Sequence, residues 1–408
     1  MRFRSSSAKS RLSKPVASKL QRSKLQQLQR PKPQRIRDPL HNLIEFGTGQ
    51  FEDVIWRVIQ TRPFQRLRRV KQLGFSELVY PGATHTRFAH SVGVFHTARH
   101  LMQIIKRHLV ENGHQPKDHQ EHVALAAALV HDLGHGMFSH AFEDVGRTLR
   151  LKMAEHTHVS DLLIRDSEVG EVLKKEIGSG FANDVADVIK RGRPGNLYDA
   201  VVSSQFDADR LDYMQRDRLM TGLQNSGIDF TWLMANLEVA QIPTGVDEQT
   251  VGEIETFILG SKAYYAAETY ILALFQLYPT VYFHKTTRAA EKLFSVLMLR
   301  IVSLVRDGHT GKIGLPARHP FIHFAKEPES LDSVLALDDA VFWGALPMLA
   351  EARDEQISAC AKCLRDRKLP KSIDIRHRLV SMIGLDRAVE STGRDETKKR
   401  LDRLIASI

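Results

Sequence analysis

The sequence predicts a mainly α protein, and three observations carry that expectation. Apolar residues recur at helical spacing through residues 88–110, at Val94, Ala98, Met102, Ile105 and Leu109. An Ala-dense run occupies residues 122–133 and closes on Gly134. Strand-like patterning is confined to one small hairpin, residues 237–242 against 251–256, with Gly245 in its turn.

In chain order, residues 51–70 read as helical in parts, with a turn near Pro63. Leu78, Val79 and Tyr80 read as a short extended piece before a Pro81-Gly82 turn. Shorter helical stretches follow at residues 157–164, 181–190, 197–204 and 209–220. Residues 261–306 form a long helical region interrupted near Pro279. Its richest apolar part, residues 263–283, contains Glu268, Gln276 and Pro279 and reads as a buried helix rather than a membrane span. Residues 331–365 and 376–407 read as helices, the last with Leu401, Leu404 and Ile405 turned inward.

The chain has 408 residues, 42% hydrophobic and 26% charged, which excludes a mostly disordered, collagenous or coiled-coil protein. Two Cys exclude a disulfide framework and point to a reducing, cytoplasmic setting; Cys360 and Cys363 read as reduced thiols on a short helix. No secretory leader is expected, and no membrane contact. The net charge of +10 is local: residues 1–37 hold 12 Lys or Arg and no Asp or Glu. A like-charged segment with few large apolar groups cannot bury enough surface to fold alone, so residues 1–36 read as a disordered basic arm. It is a solvated tail, an organelle-targeting segment, or a contact for nucleic-acid phosphates. Residues 37–306 and 307–408 read as a main folded body and a helical C-terminal region.

Thirteen of the 19 His lie between His85 and His158. His100, His108, His114, His119 and His122 fall on polar faces or a loop and read as solvated. His90 and His131 fall on inward stripes, and Asp132 adjoins the second. Burying a carboxylate beside imidazoles is costly unless a charge compensates it. A divalent cation does so. In residues 207–217, Asp209, Tyr213 and Asp217 share a helix face. Alone they read as a solvated helix; with His90, His131 and Asp132, Asp209 completes a two-His, two-Asp set suited to Mn, Fe, Zn, Ni or Mg.

The segments Arg87-Phe-Ala-His90 and His131-Asp-Leu-Gly-His-Gly-Met-Phe-Ser-His140 resemble the HD-domain metal-dependent phosphohydrolases. Phe64-Gln-Arg-Leu-Arg68, Lys71-Gln-Leu-Gly74, Tyr80-Pro-Gly-Ala-Thr-His-Thr-Arg-Phe88 and Asp207-Ala-Asp-Arg-Leu-Asp-Tyr213 resemble their deoxynucleoside triphosphate triphosphohydrolase branch. The resemblance implies an HD helical bundle over residues 37–306 that releases deoxynucleoside and inorganic triphosphate. It implies metal ligands His90, His131, Asp132 and Asp209, and catalytic positions His135, His140, Glu143 and His156, with His158 a near competitor of His156. It implies substrate contacts from Gln72, Leu73, Arg87, Arg210, Tyr213 and Asp217, with Lys285 and Arg288 toward the distal phosphates. One resident divalent ion, a second Mg carried by the triphosphate, a regulatory nucleotide and a homodimer or homotetramer complete the expectation. Gln60 stands where the human member of the branch has a guanine-reading Asp, and an amide cannot accept both guanine N–H groups. A phosphomonoesterase or phosphodiesterase of the same superfamily, or a nucleic-acid-binding protein, are the competing expectations.

Overall fold

The computed structural model describes residues 32–224, 227–246 and 249–371. The arm up to residue 31 and the helix expected at 376–407 lie outside these residues. Two five-residue strands, β1 (Gln34–Asp38) and β2 (Asn42–Phe46), open the described chain as an antiparallel hairpin, Asp38 facing Asn42. β1 thus begins inside the segment read as a disordered arm. Helices α1 (Gln50–Gln60) and α2 (Arg62–Arg66) follow, with Thr61 and Pro63 at the break between them, as the sequence indicated. The extended piece expected at Leu78 is instead a tight 3₁₀ turn, Gly74–Leu78.

The central pair is α3 (Arg87–Glu111) and α4 (Asp118–Val130). Thr86 caps α3 by accepting the Ala89 amide at 3.4 Å. Residues 123–130 of α4 are all buried, which is what an Ala-rich helix without a polar face requires. Around them lie α5 (His140–Leu149), α6 (His156–Asp166), α7 (Glu168–Glu176), α8 (Phe181–Arg191) and α9 (Ala208–Thr221). Asp207 caps α9 by accepting the Arg210 amide at 2.8 Å, and Gly222 (φ 75°) ends it in the left-handed conformation. Residues 197–201 form a 3₁₀ turn rather than the longer helix expected there.

After α10 (Phe230–Ala235), strands β3 (Leu237–Val246) and β4 (Gln249–Leu259) pair antiparallel. The expected hairpin is there but longer, and Gly245 pairs with Thr250 at a register irregularity instead of forming the turn. The long helical region resolves into α11 (Tyr264–Leu277), a π turn at Tyr278–Tyr282, and α12 (Lys285–Arg306), broken where Pro279 cannot donate. α11 contradicts the expectation of burial: Tyr264, Tyr265, Ile271, Leu272 and Phe275 all face solvent. Helices α13 (Pro320–Lys326), α14 (Leu331–Leu335), α15 (Asp339–Ala350) and α16 (Glu355–Arg365) finish the described chain. Cys360 and Cys363 are free thiols on α16, as read.

Two apolar cores result. One is built on α1, α3, α4 and α6 to α9. The other joins Phe75, Met137, Phe138 and Phe142 to α12 and the C-terminal helices. The boundary expected at residue 306 therefore does not divide the cores. The loop between α4 and α5 passes from the first core to the second, and its side chains build the site.

Candidate metal centre

His90 projects from the first turn of α3 and is fully buried. His131 caps the C-terminus of α4, one residue beyond the helix expected to contain it, and Asp132 opens the loop. Asp209 lies in the first turn of α9. Four side chains from three distant stretches thereby converge. His90 Nε2 is 2.9 Å from Asp209 Oδ1 and 3.7 Å from Asp132 Oδ2. His131 Nε2 is 3.4 Å from Asp132 Oδ1 and 3.6 Å from Asp209 Oδ1.

The far sides of the rings set their tautomers. His131 Nδ1 donates to the Ala128 carbonyl at 3.0 Å, and His90 Nδ1 donates to Asp212 Oδ2 at 2.9 Å. In the neutral imidazoles both lone pairs are therefore on Nε2, facing carboxylate oxygens. His131 Nε2 is buried without a hydrogen-bond partner. Lone pairs gathered against two carboxylates repel unless a cation, or a proton, sits between them. Burial opposes charge on His90, but hydrogen bonds to Asp209 and Asp212 override it and raise its pKa to about 10. Burial likewise opposes the charge of Asp132, and Arg87, His131 and His135 outweigh it and hold the carboxyl well below its ordinary range. His90, His131 and Asp209 bring their ligand atoms close enough to hold one divalent cation, with Asp132 beside them.

A second layer went unread in the sequence. Asp212, fully buried, accepts from His90 and also lies 2.7 Å from His41 Nε2. Arg216 donates to Asp212 at 2.7 and 3.0 Å and to Asp38 Oδ2 at 2.8 Å. Asp38 and His41 belong to the β1–β2 hairpin, so the hairpin is tied through Arg216 and Asp212 to His90. Gly93, one turn along α3, leaves room for this network: a Cβ there would lie 2.2 Å from both Arg216 Nη2 and Asp212 Oδ1.

Beside the centre lies a cleft of ≈ 690 Å³. Phe138 and Ser139 both take positive φ, 51°, at its edge. Phe138 is held there by its amide donating to Asp339 at 2.8 Å and by stacking on Phe75. The turn presents Ser139 Oγ to Arg87 Nε at 2.8 Å, and Arg87 in turn ion-pairs with Asp132. Arg66 is buried and donates to the carbonyls of His135, Leu335 and Leu337. It clamps the loop to the C-terminal helices.

The expected catalytic positions form one cluster on the cleft wall. His140 Nδ1 is 3.0 Å from Glu143 Oε2, and His156 Nδ1 bonds Glu143 Oε1. It is His156, not His158, that makes this contact. His135 stacks on His156 with ring centroids 4.1 Å apart, and its Nδ1 is buried with no partner. Burial first, then the Arg87 charge, lowers the His135 pKa to about 3, so the ring stays neutral. Burial disfavours the Glu143 carboxylate, but His140 and His156 reverse that and lower its pKa.

Gln72, Leu73, Arg87, Tyr213, Asp217 and Arg288 line the cleft. Arg210 does not: it turns back to Asp207 and to the Ser204 carbonyl, 2.7 Å away. Lys285 is also absent from the lining side chains, whereas Arg147, which the sequence reading missed, is among them. Asp217 is 1% exposed, with its two oxygens bonded to His85 and Tyr282 at 2.8 Å each, so it braces the wall rather than offering a free carboxylate. His122, read as solvated, stacks on Phe51.

Comparison with known proteins bears on this arrangement. The HD-domain family profile matches residues 87–214, the stretch that carries all four converging side chains. Residues 87–214 of this chain therefore carry an HD domain. It is 32% identical over 308 residues to the uncharacterized protein YwfO of Bacillus subtilis, a match covering 75% of this chain and 64% of that one. It is 34% identical over 221 residues to the bovine deoxynucleoside triphosphate triphosphohydrolase SAMHD1, covering 47% of this chain and 36% of that one. The chain therefore spans less than two thirds of these curated relatives. A crystal structure of a phosphohydrolase from Bacteroides thetaiotaomicron is similar over 86% of this chain and 84% of that one, with TM-score 0.67 and 28% identity. The HD match thus coincides with a His and Asp group that could hold a metal ion.

Proposed function

We propose that the chain hydrolyses deoxynucleoside triphosphates to deoxynucleoside and inorganic triphosphate. The observation that carries the reading is the convergence of two imidazole lone pairs and two carboxylates at a cleft that also bears Arg87, Arg147 and Arg288. A bound divalent cation there supplies Lewis acidity and a water acidified for attack. His90, His131, Asp132 and Asp209 hold it. Arg147 and Arg288 place positive charge where a triphosphate's negative charge would lie. Arg87, fixed by Ser139 and Asp132, is the cation nearest the centre. His140, 71% exposed in its side chain and oriented by Glu143, donates the proton that the leaving 5′-oxygen needs. Neutral His135, with its bare Nδ1, accepts a hydrogen bond on the water side. Gln72, Leu73 and Tyr213 enclose the sugar.

Supporting the reading are the partial matches to a triphosphohydrolase and the wider likeness to a phosphohydrolase structure. The test is product analysis: purified protein, each deoxynucleoside triphosphate alone and mixed, with Mn or Mg, products resolved by chromatography. Triphosphate and deoxynucleoside are expected, and His131→Ala should reduce turnover to background. Orthophosphate or a nucleoside monophosphate as the first product would sink the triphosphohydrolase reading and leave a phosphomonoesterase or diesterase.

A further inference from the structure

The turn at Phe138 and Ser139 is strained, and one of the groups that hold it lies outside the matched HD segment. Both residues take a positive φ of 51°, a conformation that L side chains keep only where the surroundings over-determine it. Asp339, the first residue of α15 and 201 positions along the chain from Phe138, supplies one such restraint. Its Oδ1 accepts the Phe138 amide at 2.8 Å, and its Oδ2 accepts the Lys71 amide at 2.9 Å. Asp339 is 2% exposed. Burial pushes its pKa up to about 7; the two amides and the Lys71 charge oppose the rise, and Asp338 adds to it. A carboxylate buried against that penalty is placed for its acceptor oxygens, because an apolar side chain would pack there more cheaply.

The two amides belong to two separate stretches of the cleft lining. In one, Phe138 leads into Ser139, whose Oγ accepts from Arg87 Nε at 2.8 Å. In the other, Lys71 is flanked by Val70, whose carbonyl accepts the Arg87 amide at 2.9 Å, and by Gln72, whose amide donates to the His85 carbonyl at 3.0 Å. Gln72, Arg87, Phe138 and Ser139 all line the cleft. Arg66 grips the same loop at the His135 carbonyl, 2.8 Å away, and its positive charge faces Asp338 and Asp339. From this arrangement we infer that Asp339 is a positioning residue of the site. One carboxylate from the C-terminal helices holds the 70–72 and 138–139 stretches against each other, and Ser139 passes the restraint on to the Arg87 guanidinium. The effect on turnover rests on the proposed function; the tie between the two stretches does not.

Amide hydrogen exchange on the full chain tests the tie, read by mass spectrometry on peptides spanning residues 66–73 and 134–142. Both peptides should hold protected amides in the wild type. Asp339→Asn keeps the side chain's shape but sets an N–H donor where one acceptor stood. It should speed exchange in one or both peptides by about tenfold, the scale of one lost hydrogen bond to a charged group, while residues 88–105 stay protected. Unprotected amides in the wild type would overturn the inference whether or not the variant folds. So would a folded Asp339→Asn, checked by circular dichroism, with wild-type exchange in both peptides. Turnover then separates positioning from mere stability, with Ser139→Ala measured in both backgrounds. It should lower kcat/KM about tenfold in the wild type and change it little in Asp339→Asn, where the turn has already let Arg87 go. An equal fall in both backgrounds would overturn the route through Ser139. No hydrolysis in any sample, with exchange as expected, would count against the proposed function and leave the tie standing.

Discussion

The Nδ1 proton of His90 goes to Asp212, and Asp212 is itself shared with His41 and Arg216. A carboxylate in that position fixes which nitrogen carries the lone pair and which way the ring faces. Asp212→Asn should therefore weaken metal retention by about 10–100-fold, measured as metal per chain after dialysis against graded chelator. Because Asp212 also balances Arg216 in the core, His41→Gln is the gentler companion and should loosen the metal less. Full metal content in both variants would remove Asp212 from the positioning of His90. None of this was readable beforehand. His41 lies 171 residues from Asp212 in the chain. On its own, Asp212 looks like one more solvated acid of a charged helix. The four converging residues could be found because two of them sit together in a signature segment. Their supporting layer carries no spacing of its own.

At the scale of elements, α3 meets α9 at Gly93, where the Arg216 guanidinium and the Asp212 carboxylate fill the space a Cβ would need. Arg216 is pinned by two carboxylates and cannot swing aside without leaving one buried and unpaired. Gly93→Ala should lower stability by about 1–3 kcal/mol, the range for overpacking, and lower metal retention with it. Chemical denaturation and metal analysis on one preparation check both; an unchanged midpoint would mean the helices separate freely. Helix existence was legible from sequence for α3, α4, α6, α8 and α9, whose apolar residues keep helical spacing. The β1–β2 hairpin was not, because its strands are only five residues long and β1 carries a single apolar side chain, Ile36. α11 was read with the wrong surroundings: apolar composition says that a face is to be covered, without saying by what.

Over the whole molecule, metal binding and protonation compete for the same nitrogens. Without metal, the His90 pKa lies near 10 and that of His131 is also raised, their carboxylate neighbours outweighing burial. Both pKa values exceed the unfolded value, so these pairs stabilise the metal-free fold fully below about pH 6.5, and that contribution fades as pH rises through the folded pKa. Metal must displace the Nε2 protons, so its affinity rises with pH and binding releases protons. Saturating metal should raise the melting temperature, with about 4 kcal/mol available at a thousandfold excess over Kd. The increment should shrink on moving from mildly alkaline to mildly acidic buffer. Paired melting curves, with metal and with chelator, measure it; an increment that grew on acidification would show that the ion sits elsewhere.

The hairpin turn at His41 has a mechanical meaning. The hairpin is a short lever whose far end rests, through one carboxylate, on the imidazole of His90. Traction on the hairpin would reach His90 through that carboxylate and the first core through Ile44 and Phe46 at once.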